Sequence, residues 1–196
     1  MTSSFRRSPI VDKPKKQPGP VTRDWLMRAG AHYLERYATS TENFRRVLAR
    51  KVRRRMVLRE EVDTDHKALI DAVTERFSEL GFLDDRGFAE AKLRSMRRKG
   101  VSGRIAEARL AEKGVERAVI EAVAAEDETT EEEAAHAYAK RRRLGPWRLR
   151  DRVDRRERDI AAMMRAGFPY GLAVDVVDGG ADDIDGVDPE ARGKTG

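Results

Sequence analysis

The chain has 196 residues, 39% apolar and 39% charged, with 41 Lys and Arg against 35 Asp and Glu and a net charge of +6. That length suits one domain or a row of small modules, an aromatic share of 6% with only 7 prolines favours helices over short strands, and the basic balance favours anionic partners such as nucleic acid, acidic membranes or acidic protein faces. The lack of cysteine excludes disulfides, thiolate metal sites and a thiol nucleophile, and no run of about 18 apolar residues exists to span a membrane, so a soluble protein of the reducing cytoplasm is expected.

Residues 1–22 place Pro9, Pro14, Pro18 and Pro20 among Arg6, Arg7, Lys13, Lys15 and Lys16, without periodicity and without the apolar run of a secretory signal. They read as a disordered basic arm. Trp25, Ala29 and Tyr33 then recur every four residues, the spacing of a helical stripe. Thr39 or Ser40 can cap the next helix, and Thr39 with Glu42 has capping-box spacing. Phe44, Val47, Leu48 and Val52 fall on one face of that helix. Ile70, Val73, Phe77 and Leu80 form the next stripe, with Gly81 as the stop. Asp84 and Asp85 can cap a helix carrying Phe88, Ala91 and Leu93 that stops at Gly100. Ser102 can cap a short helix with Ile105, Ala106 and Leu110 that stops at Gly114. Val119, Ile120 and Val123 form another. Thr129 and Thr130 each have a Glu three residues on, Gly145-Pro146 breaks the helix they open, and a basic helix leads to Ile160 and Met163 before Gly167. Leu172, Ala173, Val176 and Val177 form the last. Residues 179–196, rich in Asp and Gly, read as a disordered acidic tail.

These patterns predict about nine helices and no sheet. The stops also recur. Leu110 precedes Gly114 by four residues and Met163 precedes Gly167 by four, with Val115 and Phe168 next, then Ile120 and Ala173, then Val123 and Val176 at matching offsets. The expectation is an all-α protein of three tandem three-helix repeats, at 23–82, 83–127 and 128–178. Short helices are marginal alone and must bury their stripes against neighbours, and stacked repeats give an elongated, curved array.

Several stretches resemble the RecX family. They are Tyr33-Leu34-Glu35-Arg36 with Phe44-Arg45-Arg46-Val47-Leu48, the run from Leu80 through Asp84, Asp85 and Phe88 to Arg97-Arg98-Lys99-Gly100 and Lys113-Gly114-Val115, and Met163-Met164-Arg165-Ala166-Gly167-Phe168. Phe44 stands where leucine is usual, and Tyr37 where a basic residue is common. The resemblance, over about residues 24–178, implies three tandem three-helix repeats and a non-enzymatic regulator. Such a protein binds the RecA filament on single-stranded DNA, contacts neighbouring protomers and restrains ATP hydrolysis, strand exchange or filament growth. It also implies a place in recombination, DNA repair and the SOS response.

Nothing in the residues suggests catalysis. His32, His66 and His136 stand far apart with no metal spacing, no nucleophile elbow or phosphate loop is present, and no cofactor or metal is expected. Asp84 and Asp85 are better helix caps than a metal pair; losing a cap typically costs about 1 kcal/mol. Gly114, Gly167, Phe88 and Phe168 read as structural.

The basic clusters are the candidate site. Arg45, Arg46, Arg50, Lys51, Arg53, Arg54, Arg55 and Arg59 have no acidic interruption. Arg94, Arg97, Arg98, Lys99 and Arg104 gather at a turn. Lys140, Arg141, Arg142 and Arg143 are followed by Arg148, Arg150, Arg152, Arg155, Arg156 and Arg158. So large an unmixed excess exceeds what solubility needs. The expectation is that some of these residues, along the concave face, touch acidic patches on RecA or DNA phosphates. Charge reversal at Arg53, Arg54 and Arg55 should then weaken inhibition. A monomer is expected, and the alternative is a helical protein that binds single- or double-stranded DNA without RecA.

Overall fold

The computed structural model describes residues 17–60 and 65–179. Among them the chain is all-helical: α1 (Arg23–Leu34), α2 (Thr41–Arg59), α3 (Lys67–Glu79), α4 (Asp85–Arg98), α5 (Gly103–Glu112), α6 (Arg117–Ala125), α7 (Glu131–Arg142), α8 (Arg152–Arg165) and α9 (Tyr170–Asp178), with one 3-10 turn at Gly145–Trp147. The acidic tail beyond Gly179, and the basic arm as far as residue 16, lie outside the described residues.

Side-chain oxygens start four of the helices by accepting from free N–H groups of the first turn. Thr22 accepts from Trp25 N, Ser40 from Asn43 N and Asp84 from Gly87 N. Thr130 and Glu133 form a complete capping box at α7, so of the two candidate threonines it is Thr130 that caps. Ser102, expected to cap α5, makes no cap bond and has another partner.

Each run of three helices closes its own core. Leu26, Phe44, Leu48, Val52, Met56, Ile70, Val73, Phe77 and Leu83 pack together from α1–α3 and the turn after them. Ala89, Leu93, Met96, Ala106, Leu110, Val115, Ile120 and Val123 do so in α4–α6. Ala134, Ala135, Ala139, Leu144, Ile160, Met163, Phe168, Ala173, Val176 and Val177 do so in α7–α9.

Three stripes differ from their sequence reading. In α1 the fully buried positions are Leu26 and Gly30, one residue on from Trp25 and Ala29, which are half-buried. Gly30 is there because α1 lies close on two rings: a Cβ would stand 2.8 Å from Phe77 and 2.9 Å from Phe44. Those rings meet edge to face with centroids 5.4 Å apart. Leu80 is exposed, because α3 ends at Glu79 and the chain turns outward through Gly81. In α4 the buried positions are Ala89, Leu93 and Met96, while Ala91 faces solvent.

Residues 17–22 also depart from the expected disordered arm. Val21 packs against the first core, the Arg55 Nε donates to Gly19 O at 2.5 Å, and Arg59 donates to Pro18 O at 2.5 Å. The Arg55 guanidinium lies 4.3 Å over the Trp25 ring.

The three cores are joined by one arrangement used twice. The Ser40 hydroxyl at the start of α2 donates to the Lys113 carbonyl at the end of α5, and Thr41 N donates to Asp85 Oδ1 at 2.6 Å. The Ser102 hydroxyl at the start of α5 donates to the Ala166 carbonyl at the end of α8 at 2.9 Å, and Gly103 N donates to Glu131 Oε2 at 3.1 Å. In both junctions the next group supplies the carbonyl from its middle helix and the carboxylate from the first residue of its first helix. Gly114 and Gly167, both at positive φ, end those middle helices. A side chain at Gly114 would strike Glu42, and one at Gly167 would strike Ser102.

Candidate anion-binding groove

Four helix segments, from the second and third groups, border a groove of about 720 Å³. α4 contributes Lys92 and Met96, with Lys99 as its C-cap; α5 contributes Ile105, Arg109 and Glu112, with Lys113 as its C-cap; α7 contributes Tyr138 and Arg141; α8 contributes Arg165. Helical spacing explains the convergence, since 92, 96 and 99 share a face of α4 and 105, 109 and 112 a face of α5. The close approach of α4 to α7 depends on Gly100 (φ 71°), whose missing Cβ would strike the Tyr138 backbone.

Six cations thus face one carboxylate, Glu112. Lys99, Lys113 and Arg165 stand at the C-terminal ends of α4, α5 and α8, where the partial negative charge of the helix favours cations. The Arg141 guanidinium lies 5.8 Å from the Tyr138 ring centroid, and Tyr138 rests on the buried Phe168. Along α4 the groove continues, through the shared Lys92 and Ser95, into a second cavity of about 430 Å³ lined by Ala38, Phe82, Phe88 and Ala91. Phe82 is exposed. A surface of this kind attracts phosphates or carboxylates and offers rings beside them.

Of the basic residues singled out from sequence, only Lys99 and Arg141 line this groove. Arg94 and Arg98 line a different cavity, with Glu90, Glu126, Asp127 and Glu128. Arg104, Arg142 and Arg143 are exposed, Arg143 as the left-handed C-cap of α7. Arg97 is not on the surface. It is 4% exposed, and its guanidinium bonds Asp127 (2.8 Å), Glu131 (2.7 Å), Val101 O (3.0 Å) and Thr129 O (2.9 Å), tying the end of α4 to the start of α7. The physical reason is that a buried guanidinium must be fully paired.

The α2 cluster is divided. Arg45 faces Asp71 at 3.3 Å and Glu42 at 3.7 Å, and Arg46 pairs with Glu42 at 3.0 Å while donating to Glu112 O. Arg55 holds the 17–22 segment. Lys51 is half-buried, and Arg50, Arg53 and Arg54 are exposed. The arginines after Pro146 partly close the third group. Arg156 pairs with Asp178 at 2.6 Å, and Arg152 donates to Gly179 O at 2.7 Å.

Asp159, which the sequence reading passed over, is 2% exposed and accepts from Arg148 (2.5 and 2.9 Å) and from Gly145 N (2.9 Å). Burial alone would raise its pKa. The Arg148 and Gly145 hydrogen bonds, with the charges of Arg148 and Arg155, overcome that and hold it below the usual carboxylate value. One acid beside Ile160 in a basic helix was the available signal. Lys92, Arg109, Lys113 and Arg165 were also missed, because each stands apart in sequence and only the packing of four helices gathers them. Asp84 caps as expected, whereas Asp85 bonds the neighbouring group. Phe88 is half-buried against the second core.

No helix of the described residues is long and apolar enough to cross a membrane. Neither a family model nor a solved structure matches the chain. Curated relatives do. The chain is 36% identical over 167 residues to a regulatory protein RecX of Myxococcus xanthus, covering 83% of this chain and 89% of the relative. It is 33% identical over 165 residues to one of Streptomyces coelicolor, covering 83% and 82%. It is 30% identical over 156 residues to one of Agrobacterium fabrum, covering 78% and 82%. An all-helical chain so related falls in a class of proteins named for regulation. The chain belongs to the RecX family.

Proposed function

We propose that this protein binds the RecA filament on single-stranded DNA and restrains its ATP hydrolysis, strand exchange or growth, with the six-cation groove between α4, α5, α7 and α8 as the surface that meets the filament. Membership of the family supports the regulatory role, and the groove is the observation that carries the choice of surface. Binding across neighbouring protomers restrains the filament only if it favours one arrangement of them over another, because a ligand shifts a two-state system through differential affinity alone. No catalytic group is assigned to this chain; the hydrolysis it affects belongs to the partner. The working compartment on this reading is the cytoplasm, and the working form is a monomer built of three tandem repeats at 23–82, 83–127 and 128–178. The recurrence of the Ser–carbonyl and N–H–carboxylate bonds at both junctions supports that division.

The test is ATP hydrolysis by the cognate RecA on single-stranded DNA, titrated with this protein, beside its own DNA binding at the same salt. Inhibition well below the RecA concentration without DNA coating supports the proposal. A second reading, direct binding of single-stranded DNA without RecA, is favoured by the exposed Phe82 and by Phe88 beside the groove, since bases stack on rings while cations track the backbone. It expects tight binding that weakens with salt by about 0.7 log units per phosphate contact, and no inhibition when the DNA is saturated.

A further inference from the structure

We infer that the end of the acidic run of this chain, Val187 to Glu190, occupies the basic groove in cis and competes there with the anionic partner. This rests on the reading of the groove as the anion-facing surface. Three observations select the occupant.

The first is charge. The groove presents six cations to one carboxylate. The run Asp182-Asp183-Ile184-Asp185-Gly186-Val187-Asp188-Pro189-Glu190 carries five carboxylates and no cation. Its Val187 matches the apolar part of the groove, Met96, Ile105 and Tyr138.

The second is where the chain leaves the third group. Arg152, at the start of α8, donates to the Val177, Asp178 and Gly179 carbonyls, and Arg156 pairs with Asp178. The exit at Gly179 is therefore held beside the N-terminal end of α8. Arg165, on the groove, is at the other end of the same helix, so the distance along α8 is about 20 Å.

The third is length. Residues 180–190 extend to about 36 Å at roughly 3.3 Å per residue; about six of them, 180–185, cover that distance, which leaves Val187, Asp188 and Glu190 to meet the groove. A tether this short presents its carboxylates at an effective concentration on the order of millimolar, far above a dilute partner. The tail then sets a threshold: a weak or isolated anion is excluded, and a repeating anionic surface displaces it.

The test uses the full chain, with two readouts. Carbodiimide joins carboxylates to nearby lysines, and the expected products link Asp188 or Glu190 to Lys92, Lys99 or Lys113 within monomeric protein. Tail links confined to lysines outside the groove such as Lys51 and Lys67, or found only in dimers, overturn the inference. The second readout is affinity for a labelled single-stranded oligonucleotide. The variant Asp182→Asn, Asp183→Asn, Asp185→Asn, Asp188→Asn, Glu190→Gln should bind it roughly tenfold more tightly at low salt, with the gain lost near 1 M salt, where the screening length falls to about 3 Å. Equal affinities at low salt overturn it. Adding Lys99→Glu, Arg141→Glu and Arg165→Glu to that variant separates the two readings. If oligonucleotide binding then falls although the tail change alone did nothing, the groove stands and the tail inference fails. If binding and filament inhibition are both untouched, the groove reading fails, and the inference with it.

Discussion

The Ser102 hydroxyl, at the first turn of α5, donates to the Ala166 carbonyl at the last turn of α8, 2.9 Å away and fully buried on the serine side. Ser40 does the same for Lys113 at the other junction. Each bond satisfies a helix-terminal carbonyl and sets the start of one helix against the end of the next, so the groups are joined by polar contacts at fixed geometry.

Ser102→Ala should therefore loosen the junction between the second and third groups. The orphaned Ala166 carbonyl costs about 1–3 kcal/mol, and the urea midpoint should fall with far-ultraviolet helicity unchanged at rest. A midpoint equal to that of the parent protein would show that the Ala166 carbonyl finds water instead.

Arg97→Met removes a nearly buried cation from the half-buried acceptors Asp127, Glu131, Val101 O and Thr129 O. The expected loss is about 3–5 kcal/mol. Arg97→Lys should recover little of it, since an ammonium cannot serve acceptors on several sides of a planar fork. Denaturant unfolding of the two variants side by side measures both; full recovery by lysine would refute the geometric argument.

The Asp159 carboxyl has a folded pKa below its ordinary value. A depressed acid contributes stability that is fully present above the unfolded value, near 3.9, and is lost as pH falls through the folded one. The third group should accordingly lose stability below about pH 4, together with the contribution of Asp178, which the Arg156 hydrogen bond also lowers. Asp159→Asn should flatten that part of the pH profile and cost about 2–3 kcal/mol at neutral pH, because Arg148 loses its counter-charge. Thermal unfolding between pH 3 and 7 follows it, and an unchanged acid limb in the variant would exclude Asp159 as a cause.

Charge reversal separates the two basic surfaces. Lys99→Glu with Arg141→Glu should raise the concentration needed to inhibit RecA by about tenfold or more, the scale of one to two kcal/mol of lost contact. Arg53→Glu with Arg54→Glu, on the exposed face of α2, should have a smaller effect. Arg55 is best left out of that comparison, because its reversal also releases Gly19 and Trp25. Equal inhibition by the groove variant and the parent would remove the groove from the interface.

Much of the helical order is legible in the residues. Thr130 with Glu133, and Ser40 or Asp84 ahead of apolar runs, mark helix starts through local hydrogen bonding, and Gly100, Gly114 and Gly167 mark stops through backbone conformations that a Cβ disfavours. These are interactions within a few residues, so a single sequence contains them. The family resemblance, carried by the Leu80–Val115 stretch, belongs to the same level.

Arg97 and Lys99 show where that ends. Both belong to one basic run at the end of α4, yet one is buried against carboxylates of α7 and the segment before it and the other lines an open groove. The direction of a side chain around a helix is readable, but what stands opposite it depends on which helix packs there. Likewise Lys92, Arg109, Lys113, Arg141 and Arg165 become one surface only when α4, α5, α7 and α8 meet. The sequence by itself determined the helices, their ends and the net positive charge, because these follow from local bonding and composition. Only the tertiary structure decided which cations of these runs are paired and which stay open, because pairing such as that of Arg97 is a matter of a few ångströms between residues 30 or more positions apart.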